Sequence, residues 1–147
     1  MSIIQRVKNN HILAITIGLV YLWFGALKFF PGLSPAEELA GKTVCALTLG
    51  LIPEGLCLFL LAVWEVAVGI LLILNIQRKK VVLLTLVHMV FTFSPYLIFP
   101  EQSFTVPFAF TLVGQYIFKN IIIIAALVML YRTTQPGVIK APVPVKD

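Results

Sequence analysis

Four long apolar stretches, Ile12–Phe30, Leu56–Ile76, Val81–Phe99 and Phe108–Tyr131, constrain this chain more than any other feature of its sequence. Each is long enough to cross a hydrocarbon core, which takes ~20 helical residues, or ~17–25 with tilt. Nothing of comparable size lies outside them. The chain is 60% hydrophobic and only 12% charged, whereas soluble domains run nearer half apolar and about a quarter charged. Residues 1–132 are therefore expected to form a single membrane domain with no soluble module. The Pro-rich segment 133–147 is expected to be a flexible cytoplasmic tail.

The basic residues set the expected orientation. Arg6 and Lys8 precede the first span, "QRKK" (Gln77–Lys80) joins the second to the third, and Arg132, Lys140 and Lys146 follow the fourth. All eight fall on one side of an alternating chain. The other side has Lys42 with Glu37, Glu38, Glu54 and Glu101. By the positive-inside rule both termini are cytoplasmic. The net charge of +5 is then a topology signal and needs no nucleic-acid partner. The first span is longer than a signal-peptide h-region, contains Trp23 and Lys28, and lacks a small-residue cleavage site after it. It is read as a retained helix.

Short connections give the architecture. The Gln77–Lys80 link forces a hairpin of spans two and three, and Pro100–Pro107 is brief as well. The fold class is all-α, an up-down-up-down bundle of four transmembrane helices. The longer first connection holds Ser34-Pro35-Ala36-Glu37, a capping-box pattern with Ser34 as N-cap, Pro35 at N1 and Glu37 at N3. A short amphipathic helix over about 35–50 is expected there, lying on the outer face as a lid.

Ionisable residues inside the spans carry the functional signal. A charge near the bilayer centre costs ~2.5–3.5 kcal/mol on insertion scales, so each needs a partner or a purpose. At ~1.5 Å per residue, Glu65, His88 and Lys119 lie roughly 13–17 Å below the outer ends of their spans, while Lys28 is near an end and can snorkel outward. Helical spacing joins them to small and hydroxyl residues: Gly18, Tyr21, Gly25 and Lys28; Ala62, Glu65 and Gly69; Thr85, His88, Thr92 and Pro95; Thr111, Gln115, Lys119 and Ala126. Such stripes form helix–helix interfaces in lipid. The expected centre contains Lys28, Glu65, His88, Gln115 and Lys119, supported by Trp23, Gly25, Gly69, Thr92, Gly114, Tyr116 and Asn120. Two readings stay open. In one, Glu65 and Lys119 form a structural ion pair completed by His88 and Gln115. In the other, the centre binds a small molecule, a quinone or protons.

Three motifs in order carry a family resemblance: G-x-x-K-F (Gly25, Lys28, Phe29), E-x-x-x-G (Glu65, Gly69) and G-x-Y-x-x-K-N (Gly114, Tyr116, Lys119, Asn120). Over Leu19–Tyr131 the chain resembles the DoxX-like family of small four-helix membrane proteins. The resemblance implies the cytoplasmic (inner) membrane of a bacterium or archaeon. Name-giving members of that family are subunits of a thiosulfate:quinone oxidoreductase, and others are linked to thiol redox stress.

Other chemistries fit poorly. Only His11 and His88 could ligate a haem, and they lie at different depths. No three residues make a catalytic zinc set, so no metal is expected. No C-x-x-C pair is present. Cys45 and Cys57 both fall near the outer face, either as free thiols or as a bridge pinning the lid helix to span two. Three functional readings follow. The chain is a membrane redox component, with quinone the possible cofactor and another membrane or peripheral redox subunit as partner. Alternatively it is a non-catalytic accessory or assembly subunit, or a small transporter acting as a homo-oligomer.

Overall fold

The computed structural model describes residues 3–34 and 36–134. Among them the chain is mostly helical, with four segments long and apolar enough to cross a membrane: Asn10–Leu27, Glu54–Ile73, Arg78–Ile98 and Leu112–Thr133. Helix is the form lipid demands, because every backbone N–H and C=O must find its partner within the segment. Span one belongs to α1, Ile3–Leu27, and span two is α3, Glu54–Ile73, with the short α2, Glu37–Leu47, between them. Span three is α4, Arg78–Phe91, continued by α5, Pro95–Ile98. A turn of helix, α6 (Pro100–Ser103), and a hairpin of β1 (Phe104–Val106) and β2 (Ala109–Phe110) lead into span four. That span is α7, Leu112–Phe118, then α8, Asn120–Thr133.

The boundaries differ from the sequence reading where local chemistry overrides hydropathy. α1 starts at Ile3, nine residues before the first apolar stretch, and stops at Leu27. Residues 28–30 tighten into three-residue turns, with Lys28 N–H donating to the Gly25 carbonyl at 3.2 Å, and Pro31 prevents continuation. Span four begins at Leu112, not Phe108. Phe104 pairs with Phe110 across the hairpin, and Phe108 sits at its tip with φ 68°. Aromatic stacking holds this turn: Phe110 lies 5.1 Å from Phe104, 5.5 Å from Tyr96 and 5.0 Å from Phe118, centroid to centroid. Thr111 then caps α7, its Oγ1 accepting the Gly114 N–H at 3.0 Å and donating to the Gln102 carbonyl at 2.7 Å.

The expected capping box is replaced by another arrangement. α2 begins at Glu37 without a side-chain cap; Ser34 is buried, and Pro35 lies outside the described residues. The Glu37 carboxylate instead accepts from the Gly32 N–H at 2.8 Å, which the left-handed turn at Gly32 (φ 80°) makes reachable. α8 runs on to Thr133; the rest of the expected tail, 135–147, lies outside the described residues.

The closest helix pair is α1 with α3. A Cβ on Gly18 would stand 2.8 Å from the Gly69 carbonyl oxygen, and one on Gly69 would stand 2.7 Å from the Leu22 nitrogen. A Cβ on Gly25 would meet the Glu65 Cβ at 2.8 Å. Glycine is needed at all three because backbone occupies the space. Ala14, Ile17, Leu72, Val82, Leu127 and Leu130 fill the half of the bundle remote from α2, where Arg78 Nη2 also donates to the Asn10 carbonyl. The half near α2 is packed less completely.

Gly69→Ala is expected to destabilise the protein by about 1–3 kcal/mol through overpacking, read as a lower midpoint of thermal unfolding in detergent. Gly55→Ala, where a Cβ meets nothing within 4 Å, is the matched control and is expected to be neutral or mildly stabilising.

Candidate functional site

Gly18, Tyr21, Gly25 and Lys28 recur at helical spacing along one face of α1 and its final turn, and this face turns to α3. Because Gly25 lets the Glu65 backbone come close, Lys28 one turn later reaches the carboxylate directly. Lys28 Nζ stands 2.5 Å from Glu65 Oε2, with the two side chains 8% and 13% exposed. The ammonium also donates to the Phe24 carbonyl at 3.4 Å. Lys28 therefore does not snorkel outward, and the partner of Glu65 is Lys28 rather than Lys119. The pairing neutralises both groups where an isolated charge would be costly.

A second polar pair lies beside the first. Tyr21 Oη and His88 Nδ1 are 3.0 Å apart, and Trp64 meets the imidazole edge-on with ring centroids 6.3 Å apart. Whichever of Tyr21 and His88 donates, the tautomer leaves His88 Nε2 with one unused hydrogen-bonding function. From span four the contribution is Asn120, whose Nδ2 donates to Thr92 Oγ1 at 3.1 Å; Thr92 Oγ1 in turn donates to the Met89 carbonyl at 2.6 Å.

These groups border a cavity of about 630 Å³, within the range of small-molecule sites. Tyr21, Phe24 and Lys28 line it from α1 and its last turn, and Leu61 and Glu65 from α3. His88, Met89 and Thr92 close it from span three, and Val113, Ile117 and Asn120 from span four. α2 covers it with Leu39, Thr43, Val44 and Leu47. Its surface is overwhelmingly apolar, and Lys28, Glu65, His88, Thr92 and Asn120 are among the polar side chains on it. Among the described residues, Glu65 Oε1 and His88 Nε2 make no hydrogen bond, so both remain available to a molecule in the cavity.

Span four departs most from the sequence reading. Gln115 is exposed on the outer surface of the bundle and does not line the cavity. Lys119 is exposed at the cavity rim, its Nζ 4.8 Å from the centroid of the Tyr116 ring. The reason is the phase of α7. Lys119 N–H donates to the Gln115 carbonyl at 3.1 Å, so the two stay one helical turn apart on the same exposed side, and the four-residue spacing is lost only afterwards, where Ile122 N–H donates to the Lys119 carbonyl at 3.0 Å. Gly114, Ile117, Leu127 and Leu130 point inward instead. Gly114 is held against the Ser103 carbonyl, and its own carbonyl accepts from Tyr96 Oη at 2.7 Å. Trp23, expected beside the centre, is 67% exposed on the far face of α1. The tryptophan that reaches the site is Trp64, adjacent in sequence to Glu65; it packs behind His88 without lining the cavity.

Cys45 and Cys57 are both free thiols. No group of three or more His, Cys, Asp or Glu side chains able to hold a metal occurs among the described residues. Neither a protein family, nor a characterised protein, nor a solved structure matches this chain.

Lys28→Met is expected to destabilise the protein by about 3 kcal/mol or more, because Glu65 is left buried without its partner. Lys28→Met combined with Glu65→Gln is expected to recover most of that loss. Lys119→Met is expected to stay within about 0.5 kcal/mol of the parent. Thermal unfolding of the four proteins in one detergent checks the set.

Proposed function

We propose that this protein is a multi-pass component of a membrane redox system, of the DoxX-like type, that binds a quinone or similarly amphiphilic small molecule beneath α2. The observation that carries this reading is the cavity itself: about 630 Å³ of apolar space with Glu65 and His88 offering unused polar atoms along one wall. An apolar body fits against Leu39, Val44 and Leu47 of α2 and Val113, Ile117 and Ile123 of span four. A carbonyl or hydroxyl at one end fits the polar wall, which can present donors from Lys28 and His88 and an acceptor from Glu65.

A bound quinone would supply two-electron, two-proton redox chemistry. The chain's own part is to orient the polar end, exclude water behind α2, and exchange protons at Glu65 and His88, with Lys28 balancing the Glu65 charge whenever that carboxylate is ionised. Electrons come from a partner subunit, membrane-bound or peripheral. The basic residues at the chain ends and at Arg78–Lys80 support an up-down-up-down arrangement with both termini on the cytoplasmic side of a bacterial inner membrane. A second reading is favoured by the completeness of the Lys28–Glu65 pair: the chain is an accessory subunit, and its buried charges fix the α1–α3 register.

Binding is testable through Trp64, which touches His88 and becomes the sole tryptophan in a Trp23→Phe background. A short-chain ubiquinone is expected to quench its fluorescence saturably. His88→Phe and the Lys28→Met/Glu65→Gln double variant are expected to weaken binding about tenfold, equivalent to one hydrogen bond to a charged or buried group, while remaining folded. Linear, non-saturating quenching that is the same in all three proteins, with a stoichiometric partner recovered from mild detergent, would instead establish the accessory reading.

A further inference from the structure

The two cysteines take no part in the proposed ligand chemistry, yet they lie where the cavity's cover joins the bundle. Cys45 is in the last turns of α2, and Cys57 is in the first turn of α3 and fully buried. Both thiols donate to one acceptor, the Ile52 carbonyl, each at 3.5 Å, and the two thiols are close enough to interact with each other. The Thr48 hydroxyl stands 4.0 Å from Cys57 Sγ. Backbone geometry maintains this convergence. α2 ends with the Gly50 N–H donating to the Cys45 carbonyl at 2.9 Å and the Leu49 N–H to the Ala46 carbonyl at 3.0 Å. Leu49 and Gly50 are both left-handed, at φ 55° and 71°. This two-bond reversal folds the chain back so that Ile52 faces both thiols. The sulfurs also differ in access: Cys45 is partly exposed and Cys57 is not.

We propose that Cys45 and Cys57 form a thiol–disulfide exchange site for a low-molecular-weight disulfide, and that the bond they form locks α2 over the cavity. The Cys45 thiolate attacks one sulfur of the disulfide, forming a mixed disulfide and releasing one thiol. Cys57, as its thiolate, then attacks the Cys45 sulfur and releases the second thiol. In sum the protein dithiol loses two electrons and two protons, and the small disulfide becomes two thiols. Burial, with Cys57 and Glu54 nearby, pushes the Cys45 thiol up from its ordinary value, so the exchange accelerates as pH rises and the thiolate forms. Once closed, the bond ties Cys45 to α3 a few residues along α2 from Thr43 and beside Val44, both of which line the cavity. Nothing in this step depends on which molecule the cavity holds.

The test uses the full chain in lipid nanodiscs treated with oxidised glutathione, quenched in acid, unfolded and alkylated with a maleimide for mass spectrometry. Loss of both free thiols without retained glutathione is expected, reversed by dithiothreitol, whereas Cys57→Ser is expected to keep one glutathione on Cys45. Hydrogen exchange of the α2 amides is expected to slow on the order of a hundredfold on oxidation, the size of the closure effect for a loop of about a dozen residues. The Cys45→Ala/Cys57→Ala protein is expected to show no such slowing. Two alkylatable thiols after excess oxidant, an unresolved glutathione adduct on the parent protein, a chain-to-chain crosslink, or a bridge that leaves α2 exchange unchanged would each overturn the proposal.

Discussion

The close approach of α1 and α3 is the contact on which the rest of the structure depends. Lipid offers helices no hydrophobic reason to associate, so association rests on van der Waals contact and on polar groups with nowhere else to turn. Gly18, Gly25 and Gly69 remove the side chains that would hold the two backbones apart. With the backbones in contact, Glu65 comes within reach of Lys28, and a pair of charges that lipid would reject separately becomes tolerable together. Small residues and the ion pair are therefore one device. Each would be less useful without the other.

That device also explains where the cavity lies. Below Tyr21 the helices close on Leu72, Val82, Leu127 and Leu130, all fully buried. Above it, span three is interrupted between Phe91 and Pro95 and span four between Phe118 and Asn120. Two irregular helices opposite a tightly paired, regular one leave space between them, and α2 covers it. α1 and α3 bring Tyr21, Lys28 and Glu65 to that space, and the irregular helices add His88, Thr92 and Asn120 among apolar side chains. A site with polar and apolar sides follows from helix packing without any dedicated loop.

The positions read correctly from the sequence share a property. Glu65, His88, Thr85, Gly25 and Gly69 lie in helices that stay regular through the position concerned, so 3.6-residue spacing gave their faces correctly. Gln115, Lys119 and Trp23 failed for two distinct reasons. Gln115 and Lys119 keep their helical spacing, but α7 turns Gly114 and Ile117 inward and leaves both polar residues on its exposed side. Trp23 lies two residues from Tyr21, on the other side of α1, and aromatic character alone does not say which side faces a site. The Phe104–Phe110 hairpin escaped notice because an aromatic run reads as apolar span until its strand pairing and the Thr111 cap are seen.

The sequence by itself determined the number of spans, the membrane setting, the presence of a helix in the first connection, and the standing of Lys28, Glu65, His88 and Lys119 as in-span ionisable residues needing an account. These follow from hydropathy, length and the cost of charge in hydrocarbon, all properties of segments taken one at a time. Only the tertiary structure decided that Lys28, and not Lys119, neutralises Glu65, that Tyr21 engages His88, and that Cys45 and Cys57 meet at one carbonyl. Pairing is a property of two helices at once. It depends on a few ångströms of approach and on where a helix breaks, and neither is written in the composition of either segment.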